Sequence, residues 1–396
     1  MRFLFIGTLI LAILACNSSP QPVREPQAVP ASASAQPPVQ HLRTQGTVFV
    51  RPDGSPFEWR GISAFALLEQ IAHGRSAEAE AYLTWAASQR VTVVRVLVMA
   101  QHLFQLSPAD GRTALPRLLE LAAARNLHVE IVALADTGSM PVEFEPHVKE
   151  VGAVAARYPN SLVEIANEPA HPTQDVKLHR ADSLILLASL VPEAVPVAFG
   201  SAEYGDDFAA GDYATYHFPR DTGDEGWGHV RKLTSGASLV ERWHKPVVSD
   251  EPIGAAAQFV AGRRDDDPRR FAAAALMTRF AGLQPTFHYE GGLLAKQPAG
   301  RERDALAAWS AALDIFNEAR VSSDGTFLAD DRVSSIAEVR GARAAVARAT
   351  DREVWLLILD PGAAHSVVWK APWRAEGEWQ VPGARVMRAM LEARRP

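Results

Sequence analysis

The sequence predicts a (β/α)8 barrel followed by a small antiparallel β module, and three patterns carry that expectation. Short β-rich runs alternate with longer amphipathic stretches through the middle of the chain. Several of those runs are almost continuously apolar, as expected of parallel strands buried on both faces. After Phe316 the alternation stops and hairpin-like pairs replace it. Eight strand–helix units over about 270 residues suit a barrel. The rival is a doubly wound open sheet, which would usually show a Gly-rich phosphate turn. No G-x-G-x-x-G and no P-loop occurs. With 396 residues, 47% hydrophobic and 22% charged, the chain can bury the core of one large domain or two ordinary ones.

At the N-terminus, Arg2 is the only charge before an apolar run over 3–15. That run is short for a membrane span and suits a signal peptide. It ends in Ile13-Leu14-Ala15-Cys16, which resembles the lipobox of bacterial lipoproteins, where the cysteine is diacylated and becomes the new N-terminus. Two acyl chains on Cys16 would anchor the chain stably. Asn17 at the following position implies the outer membrane under that resemblance, so an exported, lipid-anchored protein of the cell envelope is expected. An ordinary signal peptide with an incidental cysteine is the alternative. Cys16 is the only cysteine, so no intrachain disulfide can form and no thiol is left for catalysis. Residues 17–45 are rich in Pro, Ala, Ser and Gln and read as a tether that cannot bury enough surface to fold.

The barrel is expected over 46–320. Residues 47–50 and 57–59 flank Pro52-Asp53-Gly54, a turn signal, and read as a hairpin capping the barrel base. The eight β runs are 61–65, 91–98, 128–134, 162–166, 195–199, 214–218, 246–249 and 285–289. Amphipathic stretches lie between or after them at 77–89, 114–125, 147–158, 176–190, 230–243, 269–282 and 301–316. The module is expected over 321–396, with 342–350 and 353–359 flanking Asp351-Arg352, further strands at 366–369 and 379–381, and a helical-looking stretch at 386–394. It is expected to brace the barrel.

Catalytic groups of a barrel sit at the C-terminal ends of its strands. The fourth run ends Ile165-Ala166-Asn167-Glu168-Pro169 and the seventh ends Ser249-Asp250-Glu251-Pro252. Each therefore delivers a glutamate to the same rim, from opposite sides of the barrel mouth. Two facing carboxylates are what glycoside hydrolysis needs, one to protonate the leaving oxygen and one to attack the anomeric carbon. Structural carboxylates at acidic helix N-termini are the plainer alternative.

On these motifs the chain resembles clan A of the glycoside hydrolases, most closely the cellulase-like family five, over roughly residues 57–289. The resemblance implies Glu168 as acid/base, Glu251 as nucleophile and a retaining double displacement on a β-linked glucan, mannan or related extracellular glycan, without a cofactor. It implies that Asn167 holds the sugar 2-hydroxyl, that Arg95 pairs with the nucleophile and that His217 lies near the sugar. Arg60-Gly61 looks like the family's strand-one start, with Ser63 where Asn is common. Two departures stand out: Pro219 occupies the position of the family's strand-six tyrosine, and 287–292 lacks its strand-eight tryptophan. Tyr289, Tyr204, Phe65 or Trp227 are then expected to supply a stacking face, Glu290 to bind substrate, and Asp136 to lie at the rim. The same departures support a rival, a glycan-binding surface lipoprotein on a degenerate barrel.

Other chemistries find little support. There is no H-E-x-x-H or paired H-x-H among the 12 histidines and no G-x-S-x-G, so neither a metal site nor a serine nucleophile is expected. A net charge of −6 without a basic patch excludes a nucleic-acid partner, and a monomer is expected.

Overall fold

The computed structural model describes residues 39–200, 210–220, 226–255, 265–362 and 364–392. Cys16, the signal peptide, tether residues 17–38 and Tyr204 lie outside the described residues. Packing begins earlier than the expected boundary: His41 and Leu42 are already buried. The N-terminal hairpin also differs in its pairing. Strand β1 (Arg43–Gln45) pairs antiparallel with β2 (Val48–Val50). The Pro52-Asp53-Gly54 turn forms, with Gly54 N donating to Arg51 O at 2.9 Å, but 57–59 is not a strand. Pro52 and Pro56 lack the donors a longer ladder would need. Phe49 nevertheless stacks on Trp59, ring centroids 4.9 Å apart, and meets Tyr213 at 5.3 Å. With Val93, Leu162, Ala198 and Val248 these rings fill the base of the barrel.

The barrel strands are β3 (Gly61–Ser63), β4 (Val93–Leu97), β5 (His128–Leu134), β6 (Ser161–Ala166), β7 (Val197–Ala198), β8 (Ala214–Tyr216), β9 (Val247–Ser249) and β10 (Gln284–Phe287). They form one parallel sheet in the order β7-β6-β5-β4-β3-β10-β9-β8. At the seam between β7 and β8 a side chain completes the ladder: Asp212 N donates to Val197 O at 2.7 Å, and Val197 N donates to Asp212 Oδ2 at 2.9 Å. The fold is a (β/α)8 barrel, and strand alternation decides what faces its interior. Along β4, Val94 and Val96 join the core under the helices, while Val93, Arg95 and Leu97 point inward.

Around the sheet lie α1 (Leu67–Ala72), α2 (Ser76–Ser88), α3 (Pro108–Ala123), α4 (Phe144–Ala155), α5 (Ala181–Ala188), α6 (Trp227–Lys232), α7 (Gly236–Trp243), α8 (Pro268–Phe280) and α9 (Arg301–Glu318). Helix α3 starts well before the expected 114. Ser107 caps it, its Oγ accepting from Asp110 N at 3.1 Å, and Pro108 occupies the first helical position. The stretch 230–243, expected as one helix, is split into α6 and α7 by a 3-10 turn over Leu233–Ser235.

The C-terminal module contains β11 (Thr326–Ala329), α10 (Asp331–Ser334), β12 (Ala337–Arg340), β13 (Ala344–Ala349), β14 (Glu353–Leu359), β15 (Ser366–Trp369), β16 (Trp373–Val381) and β17 (Ala384–Leu391). Five strands form an antiparallel sheet in the order β11-β13-β14-β17-β16, and β12 pairs with β15. Strand β17 replaces the helical stretch read at 386–394. Its residues are good helix formers, but pairing with β14 on one side and β16 on the other overrides that propensity.

Candidate active site

The barrel interior is polar at mid-height. Arg95 of β4 is 1% exposed and donates from Nε and Nη2 to the two oxygens of Glu164 of β6, both at 3.0 Å. The bidentate geometry fixes the guanidinium plane. The remaining donors then point up toward the rim: Nη2 reaches Asn167 Oδ1 at 2.9 Å and Nη1 reaches Glu251 Oε1 at 3.2 Å. Asp250 and Glu130 approach the same guanidinium at 3.7 and 3.9 Å.

Glu168 and Glu251 stand above this layer. Glu168 follows β6 with φ +46°, a left-handed conformation that a non-glycine residue holds only where its surroundings enforce it. Gly200 at the end of β7 presses on that turn: a Cβ there would lie 2.1 Å from Ala166 O and 2.9 Å from Pro169 Cγ. Glu251 follows β9. Gly254 lets its loop close on the end of β10, where a Cβ would meet His288 O at 1.8 Å. The two glutamates converge on His217 of the eighth-to-ninth strand region, whose Nδ1 is 2.9 Å from Glu168 Oε1 and whose Nε2 is 3.6 Å from Glu251 Oε1. One carboxylate oxygen of each glutamate and a ring nitrogen of His217 all lie within 4.8 Å of one another.

The electrostatics follow from this crowding. Burial works to raise the Glu251 carboxyl, but His217, His288, Arg220 and Arg95 outweigh it and hold the group well below the ordinary range. Glu168 is likewise raised by burial, yet the hydrogen bond and charge of His217 bring it down to about 2. His217 moves the opposite way: burial would lower it, and Glu251 and Glu168 raise it above its ordinary value. His288 is buried and lowered to about 3, so it is neutral. Both carboxylates are therefore ionised, with the shared proton on His217. Two sets of residues are close enough to hold a cation, Glu168-His217-Glu251 and Glu130-Glu164-Asp250, but Arg95 and Arg220 already stand among them as counter-charges.

Among the residues expected from sequence, the structure brings together Glu168, Glu251, Asn167, Arg95 and His217. Phe65 follows β3 at the level of Leu97, rimward of Arg95, its ring 5.4 Å from the Arg95 guanidinium carbon. Two other expectations, the stacking faces of Trp227 and Tyr289, are corrected. Trp227 is 4% exposed, and the guanidiniums of Arg269 and Arg343 cover its ring at 6.0 and 5.6 Å, leaving no face for a sugar. Tyr289 alternates to the outside of β10, fully buried, its hydroxyl 2.9 Å from that of Tyr82 and donating to Lys296 O. Asp136 accepts from Gln101 N and His102 N at 2.8 and 2.9 Å and braces a loop. Glu290 is exposed.

Two residues at the site escaped sequence reasoning. Arg220 Nη2 lies 2.9 Å from Glu251 Oε2. His288 Nε2 lies 3.5 Å from the same oxygen, while its Nδ1 is 2.9 Å from Ser63 Oγ. His288 is the inward residue at the end of the eighth barrel strand, and counting in twos from Thr286 finds it.

No protein-family model matches the sequence, and no curated protein aligns with it significantly. Solved structures do share its architecture. A candidate glycoside hydrolase from Bacteroides vulgatus superposes with TM-score 0.58 at 16% identity, over 89% of this chain and 83% of that one. A glycoside hydrolase family 5 protein from the same organism gives 0.57 at 14% identity, over 88% and 93%. An endo-1,4-beta-mannanase from Rhizomucor miehei gives 0.51 at 13% identity, over 70% of this chain and all of that one (100%). At these identities the likeness is one of fold.

Proposed function

We propose that the chain is a retaining glycoside hydrolase of the clan A type, with Glu251 as nucleophile and Glu168 as acid/base. One observation carries the reading: two glutamates from opposite barrel strands bring carboxylate oxygens within 4.8 Å at the catalytic rim. Retention calls for carboxyl groups about 5–5.5 Å apart, whereas inversion needs about 6.5–9.5 Å to admit a water. The fold shared with glycoside hydrolases supports the same reading. Glu251 Oε attacks the anomeric carbon as the bond to the leaving oxygen breaks. The leaving oxygen takes the proton held between Glu168 Oε1 and His217 Nδ1. Glu168 then accepts a proton from water, whose oxygen attacks the same carbon and frees Glu251. Arg95 keeps Glu251 ionised and Asn167 in place for the 2-hydroxyl. The substrate is a β-linked glycan met outside the cytoplasm, by a protein exported and anchored through Cys16.

The test is hydrolysis of a panel of β-glycans and aryl β-glycosides, with the configuration of the first-formed product read by NMR. Glu168→Ala should lower turnover by about 10²–10⁴-fold. Glu251→Ala should abolish it, and azide should restore a glycosyl azide of opposite configuration. An inverted product would remove the double displacement, and full activity in Glu251→Ala would remove the nucleophile. A wild type that binds glycan but cleaves none would make the chain a glycan-binding lipoprotein, the reading favoured by the absence of a stacking aromatic at the end of β10.

A further inference from the structure

We infer that the sugar bound beside Glu251 carries a carboxylate, as a uronic acid does, and that Arg220 is the residue that selects it. The inference rests on the hydrolase reading for the place of the sugar, but not on turnover. Glu251 already has a cation. Arg95 contacts it from below, and that guanidinium is committed to the interior by its bidentate bond to Glu164 and its bond to Asn167. A second arginine on the same carboxylate is not needed to keep it ionised. Arg220 instead approaches Glu251 Oε2 from the rim, after β8, through Nη2. Its other terminal nitrogen, Nη1, is buried and has no hydrogen-bond partner among the described residues.

A buried guanidinium donor without an acceptor is costly, and the planar fork of Arg matches a carboxylate better than a single hydroxyl. Glu251 is the only carboxylate within ion-pair distance of Arg220 among the described residues. Once Glu251 is bonded to the sugar it is an ester and carries no charge, so Arg220 loses its counter-ion in the covalent intermediate. An anionic group on the sugar takes both roles: it accepts from Nη1 in the bound complex and replaces Glu251 as the counter-ion in the covalent intermediate. The rest of the wall agrees. Where a neutral sugar is commonly held against a flat ring, the end of β10 presents His288, whose Nε2 faces the acceptor-only Glu251 Oε2 and so carries the proton, leaving Nδ1 to accept from Ser63 Oγ. Recognition here is by charge and hydrogen bonds more than by stacking.

The test compares wild type, Arg220→Gln and Arg220→Lys on matched pairs: 4-nitrophenyl β-D-glucuronide against the glucoside, and β-linked uronic-acid oligosaccharides against neutral ones. Hydrolysis and calorimetric binding are measured in parallel. Wild type should favour the uronides by at least about tenfold in kcat/KM. Arg220→Gln should remove that preference mainly through KM, and Arg220→Lys should keep part of it. Should nothing be cleaved, tenfold tighter binding of uronic-acid oligosaccharides that is lost in Arg220→Gln would still establish the inference while the hydrolase reading fails. A wild type that prefers the neutral member in both assays, binds neither class, or keeps an unchanged preference in Arg220→Gln overturns it. If Arg220→Gln does not fold, the wild-type preference and Arg220→Lys decide.

Discussion

Arg95 faces four carboxylates, bonded to Glu164 and Glu251 and within 4 Å of Asp250 and Glu130. One cation cannot offset four buried anions, so protons must reside in the cluster. Burial, then the neighbouring carboxylates, raise Glu130 to about 7 and Asp250 well above its ordinary value. A carboxyl raised in the fold contributes stability that is present below its unfolded value, 4.5 for Glu130, and is lost as pH rises through 7. Asp250→Asn copies the protonated acid. It should therefore leave stability within about 1 kcal/mol below the unfolded Asp value of 3.8 and flatten the decline from there toward pH 8. Arg95→Met removes the cation that Glu164, Asp250 and Glu130 share and should cost about 3–5 kcal/mol. Urea unfolding across that pH range checks both, and parallel curves for Asp250→Asn and wild type would mean that Asp250 is ionised. At this scale the two rim glutamates are legible in sequence because each ends an apolar run. Their counter-charges are not. Arg220 reads as one more loop residue, and the counting in twos that places His288 inside also places Tyr289 outside, which the run's composition conceals.

His147 shows how one side chain seats an element. It lies on α4, its Nε2 2.9 Å from Ala133 O on β5 and its Nδ1 2.6 Å from Arg112 Nη1 on α3. A carbonyl can only accept and a guanidinium can only donate, so the ring is neutral with its proton on Nε2. Burial, with Arg112 adding to it, lowers His147 to about 4. A histidine lowered in the fold contributes stability that is complete above its unfolded value of 6.5 and is lost as pH falls toward 4. The loss from this one group runs at up to about 1.4 kcal/mol per pH unit. His147→Gln should be less stable than wild type at pH 7.5, yet lose less on going from pH 6.5 to 4.5. Thermal unfolding at the two pH values measures the difference, and equal losses would place the acid sensitivity elsewhere. Element type is largely legible for the long periodic stretches, since 269–282 and 301–316 coincide closely with α8 and α9. Boundaries set by a cap, as at Ser107, or by strand pairing, as at β17, lie outside what periodicity reports.

For the whole molecule, the question is whether barrel and module are two bodies. Strand β14, Glu-Val-Trp-Leu-Leu-Ile-Leu, reads in sequence as a strand buried on both faces, but the sequence does not say what covers each face. Val354, Leu356 and Ile358 face the small cluster under α10 and β12. Trp355, Leu357 and Leu359 belong instead to the same core as the barrel helices. That is why α8 is buried nearly all round although its own sequence has no polar-outward face. Polar contacts lock the seam. Trp355 Nε1 donates to Ala319 O at 3.0 Å, and Asp360 pairs with both Arg269 and Arg343, which cover Trp227. Most telling is Arg348 of β13, 7% exposed, which donates to Phe280 O at the end of α8 and to Ser323 O and Gly325 O at 2.7 and 2.8 Å. It has carbonyls rather than a carboxylate as partners, and burial lowers it. Arg348→Met strands those carbonyls and should destabilise the entire chain by about 2–4 kcal/mol. Because the core is shared, far-UV circular dichroism and tryptophan fluorescence should report one coincident transition, in wild type and variant alike. An early transition confined to the module's fluorescence, with the helical signal intact, would instead make the module a separately folding attachment whose loss the barrel could tolerate.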